Sequence, residues 1–120
     1  MGNFKELKVW QGAKTLAVDV YKVTNQKDFG HDYSLVDQIR KSAVSIASNV
    51  AEGDERNTNK EAIRFFYIAT GSIAELITQL TITHEIGYID DKIYKDLTIR
   101  VENLSKQIKA LIKHRSIKNE

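Results

Sequence analysis

The chain contains no proline and no cysteine, and only six glycines in 120 residues. With no proline to break a helix or preset a turn, the composition leans strongly towards an all-helical fold. Without cysteine there is no disulfide framework, no thiolate metal site and no cysteine nucleophile. Long apolar runs are missing as well, so no membrane-spanning segment is expected. The opening MGNFKELKVW lacks the apolar centre of a signal peptide. Glu6 stands where a myristoylation signal after Met1-Gly2 needs serine or threonine. A cytoplasmic location is the expectation.

A strong charge of one sign is absent too. The formal net charge is +2, which by itself says nothing about nucleic acid. Its distribution says more, because Arg100 to Glu120 carries six Lys or Arg against Glu102 and Glu120. The length corresponds to one domain, 1–120, with enough chain for one core.

What the sequence does have is helical periodicity, in four segments of about 4–26, 35–52, 59–86 and 91–115. Val9, Ala13, Leu16, Val20 and Val23 recur at gaps of four and three, an amphipathic stripe. Lys27 to Tyr33 breaks that rhythm and reads as a loop. Ser34 is the expected N-cap of the second helix, whose stripe is Leu35, Ile39, Ala43, Ile46 and Val50. Gly53 is expected to close it as a C-cap. Thr58 and Glu61 have capping-box spacing before the third helix. That helix carries the cleanest stripe, Ala62, Phe66, Ala69, Ile73, Leu76 and Leu80, and is expected to stop at Gly87. Asp90 or Asp91 opens the fourth, with Ile93, Leu97, Val101, Leu104, Ile108 and Leu111 inside. Four amphipathic helices with short connections predict an all-α, antiparallel up-and-down four-helix bundle.

The second helix carries more small and apolar surface than one bundle needs. Val44, Ala47 and Ala51 flank its core stripe on one side, with Arg40 among them. In the third helix Gly71, Ala74, Thr78 and Thr81 form a small-residue stripe beside the main one. Two readings stay open for these positions: contact with another subunit, or tight packing within one chain. The other flank of the second helix is a polar strip of Ser42, Ser45, Asn49 and Glu52. Glu52 there reads either as a base or metal ligand, or as a structural group bonded to loop amides or Arg56; the structural reading is favoured.

Catalytic patterns are missing. None of His31, His84 and His114 follows a glutamate by three residues, as bundle-borne metal pairs require. HExxH, GxxxxGK[ST] and GxSxG are absent. No catalytic residue, metal site or cofactor is expected, and the chain reads as not an enzyme. Lys95, Lys106, Lys109 and Lys113 share roughly one face of the fourth helix, extended by Arg115 and Lys118. That face reads either as a solvated surface or as a candidate phosphate-binding one, and self-association would multiply its charge.

Three blocks carry a family resemblance. They are Phe4-Lys5-x-Leu7-x-Val9-Trp10-Gln11, the run Gln38–Ile46 leading into Asn49-Val50-Ala51-Glu52-Gly53, and Gly71-Ser72-Ile73-Ala74-Glu75-Leu76. Together they resemble the four-helix-bundle proteins of 23S ribosomal RNA intervening sequences, relatives of the accessory variability determinant of diversity-generating retroelements. The match runs from about Phe4 to Ile112. The resemblance implies a bacterial, cytoplasmic homopentamer with a basic exterior; in the retroelement relatives that assembly binds RNA and a reverse transcriptase. It also implies structural or subunit-contact roles for Arg40, Ser45, Asn49, Glu52, Gly53, Arg56, Ser72 and Glu75. One departure is Gly30, which follows Phe29 where the family commonly has proline.

The expectation drawn from all this is a non-enzymatic homo-oligomer that binds RNA or a nucleic-acid enzyme through basic helix faces. The alternative is a protein-binding scaffold with no nucleic-acid role. A distant third is an enzyme or ligand carrier using Glu52 or Glu75 at a subunit seam.

Overall fold

A computed structural model describes residues 3–118, with the side chain of Lys118 outside the description. Four α-helices make up the fold: α1 Lys8–Thr24, α2 Tyr33–Asp54, α3 Asn59–Glu85 and α4 Asp91–Lys118. They pack side by side into a rod 49 Å long and about 20 Å across. Helix α2 packs on α1 and α3, and α4 packs on α3 and α1, so α2 and α4 lie across a diagonal. This is an all-α four-helix bundle of up-and-down type.

The stripes read from the sequence meet along its axis. Leu16, Ile39, Ile46, Phe66, Leu76 and Ile108 are fully buried there. Each such side chain contributes about 1.5–3 kcal/mol relative to leaving it in water. By length and composition α3 is the one described helix that could cross a bilayer. Here its apolar stripe from Ala62 to Leu80 is buried inside the bundle.

Several boundaries differ from the sequence reading. The first segment is not one helix: a 3-10 turn over Phe4–Glu6 ends at Leu7, whose extended backbone resets the chain before α1. The reset lays Phe4 edge-on against Trp10, with ring centroids 5.2 Å apart. Gln11 Nε2 then donates to the Lys5 carbonyl at 2.9 Å. The stretch read as a loop holds a short 3-10 turn, Lys27–Phe29, and Phe29 is buried against Tyr88.

Helix α2 begins two residues before Leu35, because Asp32, not Ser34, is the N-cap and accepts the Leu35 N–H at 3.3 Å. The second oxygen of Asp32 accepts the Tyr88 hydroxyl at 3.0 Å, joining the α1–α2 and α3–α4 connections at one end of the rod. That carboxylate, with some burial, raises the Tyr88 phenol above its ordinary pKa. The Thr58 hydroxyl accepts Glu61 N–H at 3.1 Å, and Asp90 accepts Ile93 N–H at 2.8 Å. Gly87, with φ of 88°, follows α3.

Gly53 is not a C-cap. Helix α2 runs past it to Asp54. A β-carbon at Gly53 would lie 2.6 Å from Phe66 Cε1 and 2.9 Å from the Ala62 carbonyl oxygen. Glycine is required here by the close approach of α3, not by backbone conformation.

Candidate functional site

The polar strip of α2 faces α3 and forms a directed chain of hydrogen bonds. Asn49 Nδ2 donates to the Ser45 hydroxyl and carbonyl, both at 2.9 Å. The Ser45 and Ser72 hydroxyls are 2.8 Å apart, and Ser72 Oγ lies 3.3 Å from the Ile68 carbonyl. With Ser72 donating to Ile68, Ser45 donates to Ser72 and accepts from Asn49, so each hydroxyl in the seam is satisfied. Glu52 pairs with Arg56, whose guanidinium stacks 4.5 Å over the Phe65 ring. The strip thus ties α2 to α3, with Glu52 engaged by the arginine four residues on.

The charged cluster at the α2–α3 turn has a centre that the sequence reading missed. Asp54 is buried and accepts Arg115 Nη2 at 3.1 Å, while Arg115 Nη1 donates to Asn59 Oδ1 at 3.2 Å. Arg115 also lies over the Phe66 ring. It is therefore withdrawn from the candidate nucleic-acid surface, because its guanidinium is committed to holding α4 on the α2–α3 corner. The signal was available: Arg115 stands about five turns after Leu97, so it points in the same, inward direction. Asp54 likewise continues the phase of Ile46 and Val50.

The lysines of α4 are placed differently. Lys95, Lys106, Lys109 and Lys113 are exposed, on the side away from the buried Leu97, Val101, Leu104 and Ile108. Lys106, Lys109 and Lys113 make no ion pair among the described residues, while Lys95 stands in the field of Asp91. Glu102 interrupts the face. The lysine at position 118 lies on the last turn of α4, with its side chain outside the description.

Two apolar surfaces remain uncovered. Between α1 and α2 runs an open groove of about 560 Å³, walled by Trp10, Val18 and Tyr21 on one side and Val44, Ala47 and Ala51 on the other. On α3, Tyr67, Ile68 and Ile82 are exposed, with Ile86 just past its end, and so are Gly71, Ala74 and Glu75. Apart from its own turn of helix, nothing among the described residues comes within 4 Å of a β-carbon built on Gly71. Packing inside one chain accordingly accounts for Gly53 and leaves Gly71 without a reason. Glu75 has no hydrogen bond or ion pair among the described residues. No group of three His, Asp or Glu side chains gathers to hold a metal among the described residues.

These features define a class: a small helical bundle whose chemistry-bearing side chains tie helices together, with uncovered apolar and basic surfaces on its outside. A family profile described as 23S rRNA-intervening sequence protein matches residues 5–110, and the chain belongs to that family. Among solved structures it is similar to a protein of unknown function from the S23 ribosomal protein family of Bacteroides thetaiotaomicron VPI-5482. The TM-score is 0.81 at 20% identity, over 88% of this chain and 98% of that one, which is a likeness of fold. No curated protein matches.

Proposed function

We propose that this protein is a cytoplasmic, non-enzymatic, self-associating bundle that binds RNA, or an enzyme acting on nucleic acid such as a reverse transcriptase. The surface used is the outer face of α4. The observation that supports this best is the set of exposed Lys106, Lys109 and Lys113, without an ion pair among the described residues and spaced three and four residues apart along one helix. Cations so placed neutralise successive phosphates without a base-reading groove, so recognition is of the backbone. Self-association, with a pentamer as the size the family resemblance implies, repeats the stripe around the assembly and raises its local potential.

The test is RNA affinity as a function of salt. Each phosphate neutralised adds about 0.7 to the slope of log affinity against log salt for single strands. Replacing all three lysines by glutamate is expected to flatten that slope and to weaken binding at low salt by at least about tenfold. Binding that ignores salt, or survives the triple variant, removes the nucleic-acid role. The α1–α2 groove supports the second reading, a scaffold whose partner is a protein; that reading takes over if RNA binding is absent.

A further inference from the structure

We infer that Phe4–Glu6 is a strap over the Ala51 end of the α1–α2 groove, which opens within the folded protein by unwinding and swinging away at Leu7. The inference is read from the free chain and holds whichever partner the bundle takes. Phe4 sits at that end of the groove. It lines a hollow with Ser48, Ala51, Glu52 and Glu55, and its ring meets the edge of Trp10. Trp10, Ser48 and Ala51 are themselves walls of the groove. An aromatic side chain of the same chain thus stops the groove at this end.

The strap is held weakly. Asp32, Thr58 and Asp90 cap the starts of α2, α3 and α4 with side-chain bonds. Helix α1 alone starts without one, because Leu7 stands at its N-cap. Leucine is a poor cap, and Lys8 follows it with no acidic residue in the first turn, so the charge there opposes the helix dipole. Before Leu7 the strap is a single 3-10 turn with no fully buried residue, too short to persist once detached. Its side-chain ties are the Phe4 ring on Trp10 and the solvent-exposed bond from Gln11 to the Lys5 carbonyl. Leu7 differs, since it packs on the core and stays as the anchor. Few buried contacts and exposed hydrogen bonds mark segments that open locally, and an open form on the order of 1% of molecules is expected.

Closed, the strap covers one edge of Trp10 and shortens the apolar floor. Open, it frees Trp10 and Ala51 together. An apolar ligand that needs this end must displace Phe4, so its affinity is reduced by the fraction of molecules that are open.

Amide exchange reads the opening. The Glu6 N–H donates to the Asn3 carbonyl and the Leu7 N–H to the Phe4 carbonyl, both at 3.0 Å, and unwinding breaks both bonds. The Leu7 amide is expected to exchange about 100-fold more slowly than in an unstructured peptide, at a rate that low urea does not change. The Phe66 amide, inside the bundle, is expected to exchange far more slowly and to accelerate with urea. Trp10, the single tryptophan, reports the same motion by fluorescence, and Phe4→Ala is expected to raise its quenching by acrylamide. The apolar dye anilinonaphthalene sulfonate is expected to bind Phe4→Ala about tenfold more tightly than the wild type. Ala51→Glu added to that variant is expected to cancel the gain.

A Leu7 amide protected as strongly as Phe66, or equally dependent on urea, overturns local opening. Trp10 quenching that ignores Phe4→Ala overturns Phe4 as the cover. If Leu7 opens alone but dye affinity is unchanged in Phe4→Ala, or the gain survives Ala51→Glu, control of the groove is overturned.

Discussion

Two glycine-to-alanine substitutions test whether the two glycines are present for different reasons. At Gly53 the new methyl would stand 2.6 Å from Phe66 Cε1 and 2.9 Å from the Ala62 carbonyl oxygen. Ordinary carbon contacts are about 3.5–4.0 Å, so the ring must give way by close to an ångström and the backbone carbonyl by roughly half as much. Phe66 is fully buried and has no free volume to retreat into. Overpacking of this kind costs about 1–3 kcal/mol, against a helix-propensity gain of at most about 1 kcal/mol. Gly53→Ala is therefore expected to destabilise the fold by about 0.5–2 kcal/mol. At Gly71 no atom resists and only the propensity gain remains, so Gly71→Ala is expected to stabilise by about 0.5–1 kcal/mol. Urea unfolding followed by circular dichroism reads both. It is best done at the lowest workable protein concentration, where association adds little apparent stability. A chain of this size should show midpoints separated by several degrees in the matching thermal scans. The reasoning fails if both variants move the same way, or if Gly53→Ala matches the wild type.

Other outcomes follow from the same contacts. Asp54→Ala strips the buried partner from Arg115 and should destabilise by about 2–4 kcal/mol, read from the same urea curves. His84 holds Asp91 at 2.5 Å, and this hydrogen bond, helped by the His84 charge and by Lys95, lowers the Asp91 pKa below its ordinary value. A lowered carboxyl stabilises the fold above its unfolded pKa and loses that contribution as pH falls through the folded value. His84→Asn should bring the Asp91 titration, followed by carbon NMR, back up towards the ordinary range; an unmoved titration refutes the assignment. Ser45→Val leaves Asn49 Nδ2 and Ser72 each short of a partner and should cost about 1–3 kcal/mol, whereas Ser48→Ala, on the exposed side of α2, should cost almost nothing.

The helices were legible because their apolar residues repeat with helical period, and α3 was read almost to the residue, its ends marked by Thr58 and Gly87. Features that depend on what comes close in space were not. Gly53 has the sequence position of a helix terminator, and only the arrival of Phe66 reveals its use. Phe29 has no aliphatic residue three or four positions away, so no period marks it as buried. Ser34 and Asp32 are both good caps, and the tie from Tyr88, 56 residues away, favours the aspartate. Composition groups Arg115 with the basic tail, although its helical phase points inward. Of the surfaces, the small-residue stripes on α2 and α3 were visible in the sequence; that α1 supplies the second wall of a groove was not, because Trp10, Val18 and Tyr21 acquire that role only through packing.

The order of the helices around the rod also governs how the chain finds this shape. Each helix lies against the one before it in sequence, through turns of a few residues, and only α1 with α4 must wait for distant partners. Their meeting is marked by Arg100 and Asp19, joined at 2.8 Å across 81 residues of chain. Low contact order of this kind belongs to domains that fold in microseconds to milliseconds. During synthesis, hairpins can assemble one after another as they emerge, and the α1–α4 clasp closes last.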